Sequence, residues 1–569
     1  MTTLQRRRGR HSLVLRGCAH VCLFALVVAE GQGQTISQLR DYQRGIDAQH
    51  YVFHVSIPDS GNTIGVVGTV YVRRTQAVDT LRLDLDSAMK VRRVQANGAD
   101  VTFTRDANSV RVALPKWDAS CANQRPSTID RPDPCVAWVS VDASGVPSDG
   151  LIITQDDRKR WNYFADHWPN RARHWLPSID HPSDKATVEW RVNAPSSLRV
   201  VANGTLTEES PLPNERGRTL TAWRTNKPIP VYVMVIAVAP MAKVALGESA
   251  CGLTESGGCV QQDVYEAPEL APTTPPGFAA AGRIMDWLSK YVAPFPYEKL
   301  SHLQSSTRFG GMENASAIFY ADGGFKRMSH GEGIVAHETA HQWFGDAATP
   351  ARWADLWLSE GFATYFAALW EREARGAQGF RTAMANIRQA ILGADVVRTR
   401  PVVDTIETVL LDLLNQNSYQ KGGFVLHMLR GQVGDSAWIR GVRTYYNAHK
   451  HGNATTDDLR RAMESVSRSD LKWFFDQWLT RPGYAELTTS WTHSAGVVTA
   501  EITQAARFGV YRLRVPVEVE DATGAVTRRV IEVPAQANAK IALPGNYSAP
   551  PRRVTFDPDG DVLAVITAR

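Results

Sequence analysis

The chain has 569 residues, more than one ordinary core accommodates and enough for two to four domains. Apolar residues make up 43% and charged residues 21%, the balance of a globular protein rather than a disordered or collagenous one. The net charge of +5 does not point to nucleic acid, because residues 1–34 hold five Arg and one Glu and the remainder carries only +1.

Residues 1–34 read as a secretory signal peptide. Arg6, Arg7, Arg8, Arg10 and Arg16 form a positive start, Cys18 to Ala29 is a short apolar run, and small residues around Gly31 and Gly33 offer a cleavage site. The alternative is an uncleaved anchor. No later segment approaches about 18 uninterrupted apolar residues, so a mature chain without a stable membrane span is expected, secreted or periplasmic. Four cysteines remain after the leader. Cys121 and Cys135, and Cys251 and Cys259, each bracket a polar loop, so two local disulfides are favoured, the other two pairings staying open.

Residues 48–245 are β-rich. Leu81 to Asp86 and Val110 to Leu114 alternate with period two, and Asn97-Gly98 and Asn203-Gly204 mark turns. Val231 to Val238 is nearly all apolar and predicts one strand buried on both faces. A Pro-rich stretch from Glu266 to Gly277 then changes the pattern. Ile284, Trp287, Leu288 and Tyr291 follow at helical spacing, and helices are predicted near 331–344, 359–375, 418–432 and 455–479, the last opened by Thr455 and Asp458. After Pro482-Gly483 the period returns to two, which predicts a small β-sandwich.

His337-Glu338-Thr339-Ala340-His341 lies in a predicted helix with apolar flanks. Positions i and i+4 share a face, so both imidazoles can reach one ion, and Glu338 can face the attacking water as its base. Glu360, 19 residues after His341 and at the start of the next helix, is the candidate third ligand, which leaves a fourth position open.

This spacing resembles the M1 family of zinc aminopeptidases, the gluzincin group that includes aminopeptidase N and leukotriene A4 hydrolase. A second signature, Gly310-Gly311-Met312-Glu313-Asn314, begins upstream of the histidines. The resemblance implies that this segment is an edge strand along the substrate cleft and that Glu313 binds the free α-ammonium group. A third match, Ser418-Tyr419-Gln-Lys421-Gly422, implies that Tyr419 donates a hydrogen bond to the developing oxyanion.

The family's glutamine beside the α-amine has no counterpart, and Asp166 in the loop Tyr163 to His167 is the nearest candidate. Asp355 is either a partner of a ligand histidine or a loop residue. His302, His330 and His427 are read as packing or surface residues, and Trp343 and Phe344 as packing residues. Arg308 is read as an ordinary solvated arginine.

The expected fold is therefore multidomain α+β. It has an N-terminal β-rich, saddle-like domain (35–245), a thermolysin-like, mostly helical zinc catalytic domain (246–485) and a small C-terminal β-sandwich (486–569). The large helical domain that closes the cleft in many members has no counterpart in this sequence. One Zn2+ per chain and peptide substrates with a free amino terminus are expected. The rivals are a thermolysin-type endopeptidase, which has no use for Glu313, and a non-catalytic interaction protein on the same fold. Preferred residue and oligomeric state do not follow from the sequence.

Overall fold

The computed structural model describes residues 42–118, 121, 135–270, 276–325 and 331–569. The expected signal peptide, His330 and the middle of the Pro-rich stretch lie outside them. The described residues all fall in one compact unit.

The amino-terminal part is built on a nine-stranded sheet. At its centre Ile46–Ser56 pairs antiparallel with Ile64–Arg74 and parallel with Lys185–Pro195. Alternate residues of Ile64–Arg74 are buried, as a sheet with one face on a core requires. A four-stranded sheet packs in the same part, with Leu151–Gln155 and Trp161–Ala165 as neighbours. The apolar run Val231 to Val238 is buried as expected, but it is not one strand. Val231–Val233 is a 3-10 turn, started after Pro230, and only Ile236–Ala239 pairs in a sheet.

The part that follows opens with a five-stranded sheet that the helical reading of this region missed. Its order is Ala242–Ser249, Val260–Glu266, Lys299–Ser305, Ala317–Ala321 and the short edge strand Gly311–Met312. The boundary expected at 245/246 thus falls inside a strand. Gly311 pairs with Tyr320 and Met312 with Phe319, so the glycine-rich segment is an edge strand with one side unpaired.

Helices come next. Ala281–Tyr291 presents Ile284, Met285 and Leu288 inward. Glu332–His341 is buried on most of its surface. Trp357–Gly393 is much longer than the 359–375 expected, because the chain turns at Gly376 (φ 71°) and resumes a helix. The helix expected at 418–432 begins as a π-turn, Asn417–Lys421, and continues as Gly422–Val433. The single helix expected over 455–479 is two, Thr456–Ser467 and Lys472–Leu479, separated at Arg468, which adopts the left-handed conformation (φ 58°). Its start is as predicted: Thr455 and Asp458 form a reciprocal cap.

The carboxy-terminal strands form a four-stranded and a three-stranded sheet, the expected sandwich. Cys121 is bonded to Cys135 and Cys251 to Cys259, the favoured pairing. No described helix is long and apolar enough to cross a membrane.

Candidate active site

Three segments converge on one buried point. The helix Glu332–His341 places His337 and His341 one turn apart on one face. Their Nε2 atoms stand 3.1 Å apart, and Oε2 of Glu360 lies 3.4 Å from each. A tetrahedral ion with ligand bonds of about 2.0–2.1 Å separates its ligand atoms by about 3.3–3.4 Å, so this triangle has the dimensions of one face of a zinc coordination shell. The chemistry of the donor set agrees. Glu360 Oε2 is buried and makes no hydrogen bond, a costly state for a carboxylate unless a cation completes it. His341 Nδ1 is engaged by the Phe344 carbonyl (3.1 Å) and Ser359 Oγ (2.9 Å), which leaves Nε2 as the ligand atom. The other separate group with metal-binding residue types among the described residues, Glu248 with Cys251 and Cys259, has its two sulfurs in a disulfide.

Glycines bring the segments this close. The backbone of Gly361 lies against Gly422 and Gly423. A Cβ at 361 would come 2.8 Å from the Gly422 carbonyl carbon, so no other residue fits without movement. This contact locks the first turn of the long helix, with Glu360, to the π-turn that carries Tyr419. Across the site, a Cβ at Gly311 would overlap the Glu338 carboxylate, so the edge strand lies directly on the general-base candidate.

Glu313 is buried beyond this strand, and one oxygen each of Glu313 and Glu338 lies within 4.8 Å of a His341 nitrogen and of the other. Its main chain is held by Gln342, whose amide donates to the Glu313 carbonyl at 2.9 Å. Asn314 is fully buried, Met312 is buried within the strand, and Gly310 immediately precedes it. The Tyr419 ring stacks on His337, with centroids 6.0 Å apart and an interplanar angle of 10°.

The electrostatics are those of a site short of positive charge. Burial raises the Glu338 carboxyl well above the usual range; His341 opposes this, and the Glu313 and Glu360 charges add to it. Burial likewise raises Glu313 to about 7, against His341 and with Glu360. Burial works against ionised Glu360, but His341 and His337 hold it at about 2. Burial also works against protonated His341, yet Glu360 and Glu313 lift it to about 10. Three carboxylates around two imidazoles call for added cations. Burial, then the charge of Glu360, pushes the Tyr419 hydroxyl well above 10, so it keeps its proton and can donate it.

The structure also corrects and extends the sequence reading. Asp355 is no partner of a candidate ligand histidine: it accepts from Thr456 Oγ1 (2.7 Å) and Arg352 Nε (2.7 Å), tying the 3-10 turn Trp353–Asp355, just before the long helix, to the start of Thr456–Ser467. Asp166 is fully buried, pairs with Arg171 at 2.7 Å and accepts the Arg308 amide at 3.3 Å, so its carboxylate supports the approach to the glycine strand. Arg308 is half exposed and pairs with Asp149 at 2.6 Å. His302 and His427 are structural, the first between Tyr320 and Gln262, the second between Tyr365 and Asp561. Trp343 and Phe344 pack in the core.

Ser359 and Lys185 were missed. Lys185, from the central sheet, is buried and donates to the carbonyls of Asp346 (2.8 Å) and Ala347 (2.8 Å) just beyond the ligand helix, and to that of Gly452 (3.2 Å). Only the adjacency of Ser359 to Glu360 could have drawn attention to the first, and no local signal marks the second.

Two family models match the chain, the "Peptidase family M1 domain" over residues 278–478 and the "Peptidase M1 N-terminal domain" over residues 147–233. The chain is 30% identical over 347 residues to "Aminopeptidase N" of Streptomyces lividans, covering 58% of this chain and 39% of that protein. It is 26% identical over 341 residues to "Glutamyl aminopeptidase" of Homo sapiens, covering 57% and 35%. The chain thus spans well under two thirds of the length of these relatives. The M1 zinc metallopeptidase of Deinococcus radiodurans superposes with a TM-score of 0.65 at 27% identity, covering 77% of this chain and 95% of that one. A mutant of that enzyme bound to a Tyr-Ser-Ala substrate superposes equally well, at 26% identity.

Proposed function

The chain belongs to the M1 peptidase family, and from that premise we propose that it is a zinc-dependent aminopeptidase. It removes single residues from peptides that have a free α-amine. One observation carries the reading. A buried carboxylate, Glu313, lies with Glu338 beside the His337–His341–Glu360 triangle, one oxygen of each within 4.8 Å of a His341 nitrogen. A buried carboxylate that lacks a cation accepts an ammonium group and rejects an acetylated or extended amino end. Cutting is then fixed one residue from the terminus.

His337, His341 and Glu360 would hold the ion. Zinc at that position supplies Lewis acidity to the scissile carbonyl and to the attacking water. Glu313 binds the ammonium group, helped by Gly310, Gly311, Met312 and Asn314, whose edge strand lies open to a peptide backbone. Glu338, beside the triangle, takes the proton of the attacking water and delivers it to the leaving amine. Tyr419 keeps its phenolic proton and donates it as a hydrogen bond to the developing oxyanion. The leader-like start and two disulfides support an extracytoplasmic location.

The test compares a leucyl amide that releases a fluorophore with its N-acetylated twin. Cleavage of the free amide alone is expected, abolished by a chelator and restored by Zn2+. Glu338→Gln should lower kcat by about 10²–10⁴-fold while one zinc per chain remains bound. Equal cleavage of both substrates would make the enzyme an endopeptidase and remove the role of Glu313.

A further inference from the structure

The edge strand Gly311–Met312 is paired on one side only. A peptide laid along its open side is positioned only as well as the strand itself is. The end of the strand that leads to Glu313 is held by Gln342, at the close of the helix Glu332–His341. Gln342 Nε2 donates to the Glu313 carbonyl (2.9 Å), and its Oε1 accepts the Ser316 amide (2.8 Å). The other end leads back into residues 308–310, a bend outside any helix or strand.

A closed ring of charged side chains fastens that bend to the amino-terminal part. Arg308 enters the ring twice: its amide donates to Asp166 Oδ2 (3.3 Å), and its guanidinium pairs with Asp149 Oδ1 (2.6 Å). Arg171 joins the two acids, 3.0 Å from Asp149 Oδ1 and 2.7 Å from Asp166 Oδ1. The far side of the ring is anchored on main chain. The Asp166 amide donates to the Gly150 carbonyl (2.8 Å), and Arg171 Nε donates to the Trp168 carbonyl (2.6 Å). Phe309 packs on it, with the Arg171 guanidinium 5.9 Å from its ring centroid and Trp168 edge-on at 6.0 Å. Burial works against the Asp149 charge, but the Gly150 amide, Arg171 and Arg308 hold its carboxyl below the usual range, so it is ionised at neutral pH.

Asp166 and Arg171 are buried, and burying charges carries a desolvation cost that well-packed apolar residues of similar volume avoid. What the ring supplies beyond stability is a fixed place for the bend. We propose that Arg308 and Asp149 are positioning residues for the substrate: through the ring they set the glycine strand, and with it Glu313, where a bound amino end requires them. This rests on the aminopeptidase reading and adds to it a role for the amino-terminal part of the chain.

The test uses the full mature chain, with the leucyl amide and the tripeptide Leu-Ala-Ala as substrates. Arg308→Gln breaks one link and leaves the main-chain link in place. Asp149→Asn weakens the hold on both guanidiniums, and Arg308→Lys restores the charge. KM for both substrates should rise about fivefold in Arg308→Gln, the upper end of what an ion pair of this exposure contributes. It should rise at least as far in Asp149→Asn and stay near wild type in Arg308→Lys, with kcat and zinc content unchanged throughout. A lowered Tm with KM unchanged would make the ring structural only and overturn the proposal, as would no change in either. A KM that rises in Arg308→Gln but not in Asp149→Asn would make Arg308 a direct contact of the substrate, which also overturns it. Each of these results leaves the aminopeptidase reading standing. Failure of wild type to cleave either substrate would sink both.

Discussion

To serve as the proposed metal ligand, the His341 imidazole keeps a proton at Nδ1 and offers a lone pair at Nε2. The Phe344 carbonyl can only accept, so it holds the Nδ1 proton, and Ser359 Oγ, itself 3.3 Å from that carbonyl, supports the same orientation. Partners of this kind contribute about 10–100-fold to metal affinity. Ser359→Ala removes one of two and leaves the ligands in place. Zinc affinity should fall about tenfold in competition with a fluorescent chelator, with kcat of the zinc-saturated enzyme nearly unchanged. An unaltered affinity would mean that the Phe344 carbonyl alone orients the ring. The histidines, Glu338 and Glu360 were legible in the sequence because their spacing along helices translates directly into geometry. Ser359 was not, because its role depends on the chain from Phe344 to Ser359 folding back on itself.

Two elements meet at the Gly361 contact with Gly422 and Gly423. The start of the long helix holds Glu360, and the π-turn Asn417–Lys421 holds Tyr419. Gly361→Ala gains helix propensity but drives a methyl group into the Gly422 backbone, which cannot rotate away as a side chain would. Overpacking of this kind costs about 1–3 kcal/mol. A lower Tm together with a fall in kcat is expected, because the separation of Glu360 from Tyr419 is set there. A variant with raised Tm and full activity would show that the two elements accommodate the methyl group. The helix starts were legible from caps and periodicity. The break at Arg468, the turn at Gly376 and the π-turn were not. Arginine is no helix breaker, and a lone glycine such as Gly376 can equally sit inside a continuous helix. Three strands of the five-stranded sheet, Val260–Glu266, Lys299–Ser305 and Ala317–Ala321, were missed because they are mostly buried on both faces and show no alternation.

The whole molecule buries several ionisable groups that the chemistry does not use. Burial holds His167 and His302 neutral, lowering each to about 3. Unfolding exposes them to their ordinary value near 6.5, so between pH 6.5 and 3 the unfolded chain binds more protons and stability falls as pH falls. At pH 5 each such group costs about 2 kcal/mol relative to neutral pH. Buried Asp84, Asp180 and Asp184, whose pKa values are raised by burial, act with the opposite sign. His302→Gln, which keeps a polar group between Tyr320 and Gln262, isolates one contribution. Its Tm should drop less than that of wild type from pH 7 to pH 5. An equal drop would show that His302 does not take part in acid unfolding.

Local patterns were enough to reveal the candidate metal-ligand set and base, the favoured disulfide pairing and the succession of β-rich, helical and β-rich regions. Each of these is set by helix or strand periodicity or by the closure of a short loop. The burial of Glu313 beside the histidine helix and the tie of Lys185 to the turn after that helix emerged only in three dimensions. Each depends on segments far apart in the chain, and whether a leucine or a carboxylate is buried or exposed is a property of what packs over it, which no local pattern encodes.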